Sequence, residues 1–157
     1  MTTDLDKGGR SPQVHRVYLG PSLGWIYADE PLDLEMSISN GLSYISPGVK
    51  AALIVPEWVT VRKWVLLAEA AGNLMIDVWK ISLEDYLAGT VPTAADSITG
   101  TDIPIIFNQV ANSSTLLTGW TTFLEQNDVL VFNVVNATSV TKATITIQCI
   151  RNKGTGG

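Results

Sequence analysis

Apolar and polar residues alternate with a period of two through most of the chain after residue 48, which is the pattern of β-strands that bury one face. The clearest case is the segment 140–151, where Ala143, Ile145, Ile147 and Cys149 fall on one face and polar residues fall on the other. One apolar and one polar face are typical of an antiparallel strand that is covered on one side only. We therefore expect this strand to lie half exposed in an antiparallel sheet.

Six further extended segments follow from the same period and from the turn residues between them. They span 49–55, 58–68, 74–80, 105–110, 115–120 and 129–135. The turn-forming sequence Ala70-Ala-Gly-Asn73 predicts a hairpin between the second and third of these strands. One or two helical turns are expected over 81–87, with Ser82 as N-cap and Gly89 beyond the end. Many short strands and little helix predict an all-β fold, an antiparallel β-sandwich that is jelly-roll-like.

Alternation also assigns the residues of the predicted hairpin to two faces. In 58–68, one face is expected to carry Trp58, Thr60, Arg62 and Trp64, and the other Val59, Val61, Val65 and Leu67. In 74–80, one face is expected to carry Leu74, Ile76 and Val78, and the other Met75, Asp77 and Trp79.

Composition divides the chain into three parts. Residues 1–48 are rich in Gly and Pro but carry too many apolar side chains for a solvated linker, so we expect an extended N-terminal arm that docks on a surface. Residues 49–152 form the predicted β-sandwich domain. Residues 153–157 are Gly-rich and predict a flexible tail.

Length and composition narrow the class of protein. A chain of 157 residues suits one domain with a core of its own. The single Cys excludes an intramolecular disulfide or a Cys-based zinc site, and the single His excludes a multi-His metal site. A net charge of −5 with ten scattered Lys and Arg argues against nucleic acid as a partner. No apolar run reaches the 18 or so residues of a membrane helix, and the polar N-terminus is no signal peptide, so synthesis in the cytosol is expected.

The motifs that suggest catalysis or metal binding are weak. Gly20-Pro-Ser-Leu-Gly24 matches the G-x-S-x-G nucleophile elbow, but no His follows Ser22 and Gly24 leads into Trp-Ile-Tyr rather than into a helix. A turn is therefore favoured there, and His15 is expected to be an incidental surface residue. The acidic stretch 29–35 lacks the spacing of a calcium loop. We assign no catalytic, cofactor-binding or metal-binding residue and expect no enzymatic activity and no cofactor.

Aromatic side chains offer a different kind of site. The chain has five Trp and four Tyr, and exposed aromatic rings in loops can stack on sugar rings or contact proteins. Trp64 and Trp79 are expected mid-strand, where burial is favoured. For Trp58 the sequence does not decide between burial and exposure. The residues expected to make intermolecular contacts are Tyr18, Trp25, Tyr27 and Trp120.

Several blocks of the predicted domain resemble a known family when their order and spacing are taken together. The blocks are Val61-Arg-Lys-Trp-Val-Leu-Leu-Ala68, Ile76-Asp-Val-Trp-Lys80, Pro92-Thr-Ala-Ala-Asp-Ser-Ile98, Leu117-Thr-Gly-Trp-Thr-Thr122, Asp128-Val-Leu-Val-Phe-Asn-Val134 and Thr138-Ser-Val-Thr-Lys-Ala-Thr144. They resemble a domain of tailed-bacteriophage structural proteins, found at the C-terminal end of tail-fibre or tail proteins and in small capsid-associated proteins. The resemblance covers about two thirds of the chain.

This resemblance implies a β-sandwich on the surface of a virion, without enzymatic activity or cofactor. Fibre proteins attach the domain to a long fibrous part, whereas only 48 residues precede it here, which favours a stand-alone capsid cement or decoration protein assembled in the host cytoplasm. The expected partners are further copies of the chain, as a homotrimer, and the major capsid protein or another virion scaffold protein. The alternative is a tail or fibre-tip module that binds a host receptor or glycan.

Charge is scarce throughout the chain and scarcest in its last third. Charged residues make up 16% of the chain, against about a quarter in average proteins. From residue 103 onward the charged side chains are Glu125, Asp128, Lys142, Arg151 and Lys153. Exposed strand faces normally carry more charge, so we expect neighbouring chains to cover much of the side surface of this domain.

Overall fold

Almost all regular structure in the computed structural model, which describes residues 16–18, 25–27 and 30–152, is antiparallel β-strand. This confirms the predicted all-β, sandwich-like class. The strands and the helix, in chain order, are β1 (Arg16–Tyr18), β2 (Trp25–Tyr27), β3 (Pro31–Ser39), β4 (Gly48–Ile54), β5 (Val59–Ser82), α1 (Leu83–Leu87), β6 (Ile105–Ser114), β7 (Phe123–Leu124), β8 (Asp128–Thr138) and β9 (Lys142–Arg151), with a 3₁₀ turn at Ala94–Asp96. No helix among the described residues is long and apolar enough to span a membrane.

The longest strand, β5, continues without interruption through residues 70–73, which were predicted to form a hairpin turn. That prediction is therefore wrong. Its first half pairs with β9, from Val59 opposite Arg151 to Ala68 opposite Ala143. Its second half pairs with β8. β6 pairs with both halves of β5 along one edge of that strand. β9 and β8 therefore lie one after the other along the opposite edge of β5. The chain therefore bends where a hairpin was expected, and the sheet curls.

The bend divides the one seven-stranded sheet into two halves that share β5, which we call the first sheet and the second sheet. The first sheet consists of β3, β9 and the first half of β5; the second consists of β4, β8 and the second half of β5. Their inner faces enclose one hydrophobic core. Its largest fully buried side chains include Trp64, Leu66, Leu74, Ile76, Ile106, Leu130, Phe132, Ile145 and Ile147.

Gly72 marks the corner. A Cβ on Gly72 would lie 2.6 Å from the carbonyl oxygen of Thr138 and 2.7 Å from Cγ2 of Val140, so the strands can approach this closely only because Gly72 has no side chain. Ser139, in the connection between β8 and β9, has a positive φ of 65°. In the sequence Gly72 indicates a turn, whereas in the fold it lies within a strand, at the point where that strand bends.

A β-bulge changes the faces in the first half of β5. The register shifts between Val61 and Lys63, and Arg62 is the extra residue. Because of the shift, Trp64 joins Val61 in the core and Leu67 turns outward, contrary to the faces predicted for 58–68. In the second half of β5, Leu74, Ile76 and Val78 are buried together, which confirms the faces predicted there.

Predictions that depend on one segment of the chain alone are confirmed in β9 and at the start of α1. The inner face of β9 is confirmed, because Ala143, Ile145, Ile147 and Cys149 are all buried. Helix α1 begins as expected, since the Ser82 hydroxyl accepts a hydrogen bond from Asp85 N at 3.1 Å. Residues 115–120 differ from the prediction, because they form turns rather than a strand.

Part of the predicted arm belongs to the sheet. β3 pairs with β9 over nine positions, from Pro31 opposite Ile150 to Ser39 opposite Lys142, so the sheet begins at about residue 31 rather than at 49. Apolar residues in fact alternate in this strand, but the surrounding Gly and Pro suggested irregular structure. β1 and β2, also within the predicted arm, form a two-stranded antiparallel pair of their own. The predicted tail, 153–157, lies outside the described residues.

Candidate interaction surfaces

The outer face of the second sheet is apolar where β4 and β8 meet. Ala51 and Leu53 of β4 pack on the core, so their neighbours in the strand point outward. Val49, Ile54 and Val135 are between 42% and 54% exposed on this side. We call the outward residues Val49, Ala52, Ile54 and Val135 the β4–β8 face; none of them is charged.

Among the described residues, Trp79 and helix α1 cover only one end of this outer surface. Val129 and Val131 point outward from β8 but are buried, in a small cluster with Ile81 that Trp79 of β5 and Leu83 of α1 pack against. From Asn133 onward the outward residues of β8 are accessible. Within the described residues this cover is thus shorter than the apolar surface, and Tyr86 and Leu87 of α1 and Val91 beyond it are exposed and apolar.

The outer face of the first sheet has the opposite character over β3 and β9, beside Leu67 of β5, which is exposed. Its outward positions pair polar residues across the strands, such as Asp33 with Gln148 and Glu35 with Thr146. Ser37, Thr144 and Lys142 continue this face. This surface is typical of a solvated sheet, so the two outer faces of the same domain differ in chemistry.

The terminal strands of the main strand order, β3 and β4, carry features that oppose edge-to-edge pairing, whereas β6, which pairs only with β5 among the described residues, leaves an uncharged edge. Within the described residues, β3 pairs only with β9 and β4 only with β8. β3 carries Pro31, Asp33 and Glu35, and β4 contains a register shift at Lys50. The Lys50 ammonium donates to the Ser46 hydroxyl at 3.2 Å. At the β3 and β4 edges, a binding partner is therefore less readily accommodated than on a sheet face.

A second candidate surface is a pair of aromatic rings at the start of β5. The rings of Trp58 and Phe123 lie with centroids 5.5 Å apart and planes tilted by 48°, and the two residues are 46% and 43% exposed. Polar groups adjoin the pair: Asn152 N donates to Trp58 O at 2.8 Å, and Asn152 Oδ1 accepts from the Thr60 hydroxyl at 2.8 Å. Exposed rings next to hydrogen-bonding groups can bind an amphipathic ligand.

An ion-pair group adjoins these rings and fixes the start of β3. Arg151 Nη1 lies 2.6 Å from Glu57 Oε2, and Arg151 Nε lies 3.4 Å from Glu30 Oε1. Glu30 is only 7% exposed, and its main-chain oxygen accepts from Arg151 N at 2.8 Å. Arg151 thus joins β9, β3 and the β4–β5 connection, which is a structural role.

Asp77 organises a polar network that the sequence did not reveal. Its Oδ1 accepts from the hydroxyls of Ser97 at 2.6 Å and Thr99 at 2.7 Å, and its Oδ2 accepts from Trp79 Nε1 at 2.8 Å. With both oxygens engaged, the carboxylate holds the segment 97–99 against β5. Only the tertiary fold brings these residues together, because Ser97 and Thr99 are 20 and 22 positions from Asp77.

Of the four predicted contact residues, the structure describes the side chain of Trp120 alone. Trp120 is 8% exposed, and its Nε1 donates to Asp102 O at 2.8 Å, so it is a core residue and cannot serve as an exposed platform. The backbones of Tyr18, Trp25 and Tyr27 lie in β1 and β2, and their side chains lie outside the described part. The exposed Trp beside a second ring is Trp58 instead.

The reactive residues weighed above make no site in the described part. Ser22 and His15 lie outside the described residues. Burial, with a smaller contribution from the negative charge of Asp33, raises the pKa of the Cys149 thiol to about 12, so this thiol stays protonated and unreactive at neutral pH. Among the residues that the structure describes, no three His, Cys, Asp or Glu are grouped to hold a metal ion.

The chain matches no protein-family model, no curated protein and no solved structure. Its function is therefore argued from the surfaces described above.

Proposed function

We propose that this chain is a structural protein of a phage particle, a capsid cement protein that associates with itself as a homotrimer and binds the major capsid protein. The phage assignment comes from the resemblance of the sequence blocks. The observation that supports an adhesive role is the surface: fourteen large apolar side chains are at least 40% exposed among the described residues. A soluble monomer tolerates such residues singly, whereas contiguous apolar patches mark contact sites.

A cement protein stabilises a capsid by binding to it. It therefore needs a large contact area and no reactive group. The β4–β8 face supplies uncharged area on a rigid sheet, and the polar outer face of the first sheet suits solvent. Residues 1–29, which precede β3, would extend this contact to a neighbouring capsid subunit. This part of the proposal comes from the predicted arm.

The test is co-sedimentation of the purified chain with particles of the phage that encodes it. Tail-free mature capsids, isolated tails and precursor capsids are incubated with the chain and pelleted. We expect saturable binding to mature capsids and a rise in the temperature at which the capsid releases its DNA. Binding to tails alone, or to none of the three, would refute a cement role.

One observation favours a second function, recognition of a host glycan by a tail or fibre-tip module. The Trp58–Phe123 pair offers two accessible rings beside Asn152 and Arg151. Sugars bind where an apolar ring face and hydrogen-bonding groups lie side by side. Binding of the isolated chain to an array of host surface glycans, lost in Trp58→Ala, would support this function and count against the cement role.

A further inference from the structure

We propose that the β4–β8 face is the surface through which one copy of this chain binds a second copy. This inference deepens the proposed function, because it names the surface that the self-association would use. It rests on four observations: the apolar row of β8 is only partly covered, the face contains no acid, two edge strands carry charged residues, and the face has a limited area.

The first observation is the continuity of the face with a surface that is already covered within the chain. Val129 and Val131 are buried beneath the α1 end, and the same outward row of β8 continues to Val135, which is accessible. Residues that are apolar on both faces of a strand are typical of strands covered on both sides. The cover by Trp79 and α1 ends before the apolar row does, so Val135 is left uncovered by the part of the chain that the structure describes.

Charge indicates which partner fits. The chain carries a net charge of −5, so two copies repel each other over most of their surfaces. The β4–β8 face contains no acid, and the nearest acid across the sheet, Asp77, pairs with Asn133 and has both oxygens hydrogen-bonded. A second copy that presents the same face therefore brings no carboxylates together, and Lys50, the cation of this strand, donates to the Ser46 hydroxyl. Copies can therefore meet at this face around a threefold axis, as the proposed homotrimer requires, as well as around a twofold axis.

The β3 and β4 edges of the sheet oppose an open assembly through those strands. Edge pairing would extend copies into an open fibre, but β3 carries Asp33 and Glu35 and β4 carries Lys50 in its bulge. A contact through a face about a symmetry axis ends with a small number of copies.

The size of the face sets the expected strength. Seven residues of β4 span about 24 Å, and two strands with the adjoining helix are about 20 Å wide, which gives roughly 500 Å² of projected area. A standard interface buries about 800 Å² of accessible surface per partner. The contact therefore belongs at the weaker end of specific interfaces, and its dissociation constant should be in the micromolar range.

The experiment is sedimentation velocity on the full chain from about 1 to 100 µM, the range in which such a contact forms. Wild-type chain should reach a mass of two or three copies of 16.9 kDa. Ile54→Lys and Val135→Lys should each raise the dissociation constant at least about 100-fold and leave a monomer. The matched control is Leu42→Lys, at a position that is 101% exposed in the β3–β4 connection and is not part of the β4–β8 face. It should associate as the wild type does.

A second measurement does not depend on weakening the contact. Cys149 is buried, so a cysteine placed on the surface is the one available to a thiol crosslinker. With a short bismaleimide, Ile54→Cys should give crosslinked dimers and Leu42→Cys should not. Circular dichroism of every variant should match that of the wild type.

Three results would overturn the inference: a wild-type chain that stays monomeric at the highest concentration, a Leu42→Lys variant that dissociates as readily as Ile54→Lys, or crosslinking through residue 42 but not 54. These results are separable from the cement role. A wild-type oligomer that dissociates on Ile54→Lys supports the face even if capsids do not bind it, and capsid binding by a monomeric wild type would retain the cement role without this contact.

Discussion

Replacing Gly72 with Ala tests the central feature of the fold, the bend of β5. If residues 70–73 formed an exposed hairpin turn with negative φ at the glycine, the added methyl group would meet no neighbour. Removing a flexible glycine would then stabilise the protein by about 0.4–1 kcal/mol. In the observed structure β5 continues through this point against the β8–β9 connection, and the two interpretations predict opposite signs.

The magnitude follows from three close approaches. The new Cβ would lie 2.6 Å from Thr138 O, 2.7 Å from Val140 Cγ2 and 3.1 Å from Ser139 O, and two of these atoms are backbone that moves only with the strand. Overpacking of this kind costs about 1–3 kcal/mol. The gain from removing a strand glycine offsets about 0.5–1 kcal/mol of that cost. We expect a net loss of roughly 1–2 kcal/mol in the free energy of unfolding.

Urea unfolding, followed by circular dichroism at one fixed protein concentration, measures this difference. The control is Ala71→Gly at the neighbouring exposed position, which should cost about 0.5–1 kcal/mol from backbone entropy alone. A Gly72→Ala protein as stable as the wild type, or more stable, would refute the continuous strand and restore the hairpin.

Three further predictions concern single side chains. Arg151→Met leaves the carboxylate of Glu30, 7% exposed, without its ion-pair partner and should lower the free energy of urea unfolding by about 1–3 kcal/mol, whereas a value near zero would show that the pair is not structural. Trp120→Phe loses the hydrogen bond to Asp102 O and should cost about 0.5–1.5 kcal/mol, and unchanged stability would contradict its place in the core. The pKa of Cys149 is raised from 9.0 to about 12 in the native state, so the unfolded chain releases the thiol proton first. The stability that Cys149 contributes is therefore complete below pH 9 and falls as the pH rises toward 12, by up to about 1.4 kcal/mol per pH unit. Wild type and Cys149→Ala should differ in this slope when urea unfolding is repeated between pH 8 and pH 11, and equal slopes would contradict the burial of the thiol.

Sequence patterns correctly predicted the features that depend on one segment of the chain alone. The faces of β9 follow from its unbroken alternation, and the start of α1 follows from Ser82, whose hydroxyl caps a helix wherever that helix lies. The class of the fold follows from the number of short strands and the scarcity of helix.

Features decided by distant partners were missed. The bulge at Arg62 exists because of how β5 pairs with β9, some ninety positions away in sequence. Trp120 beside Gly119 suggested an exposed loop, but the Gly100 backbone lies so close to Gly119 that this turn folds inward: a Cβ on Gly100 would be 2.4 Å from the Gly119 carbonyl carbon. The exposed Trp58–Phe123 pair likewise forms only once β7 pairs with β5.

The bend also explains why the two outer faces differ. Because β5 contributes one half to each sheet, β9 and β8 lie on different sheets although they follow one another in the chain. β9 alternates polar and apolar residues and needs cover on one side only, whereas the first part of β8, Val129–Phe132, is buried on both sides. Where β4 and β8 meet, the outer surface is therefore apolar, and among the described residues Trp79 and Leu83 cover only its Val129 and Val131 part, which leaves Val49, Ile54 and Val135 exposed.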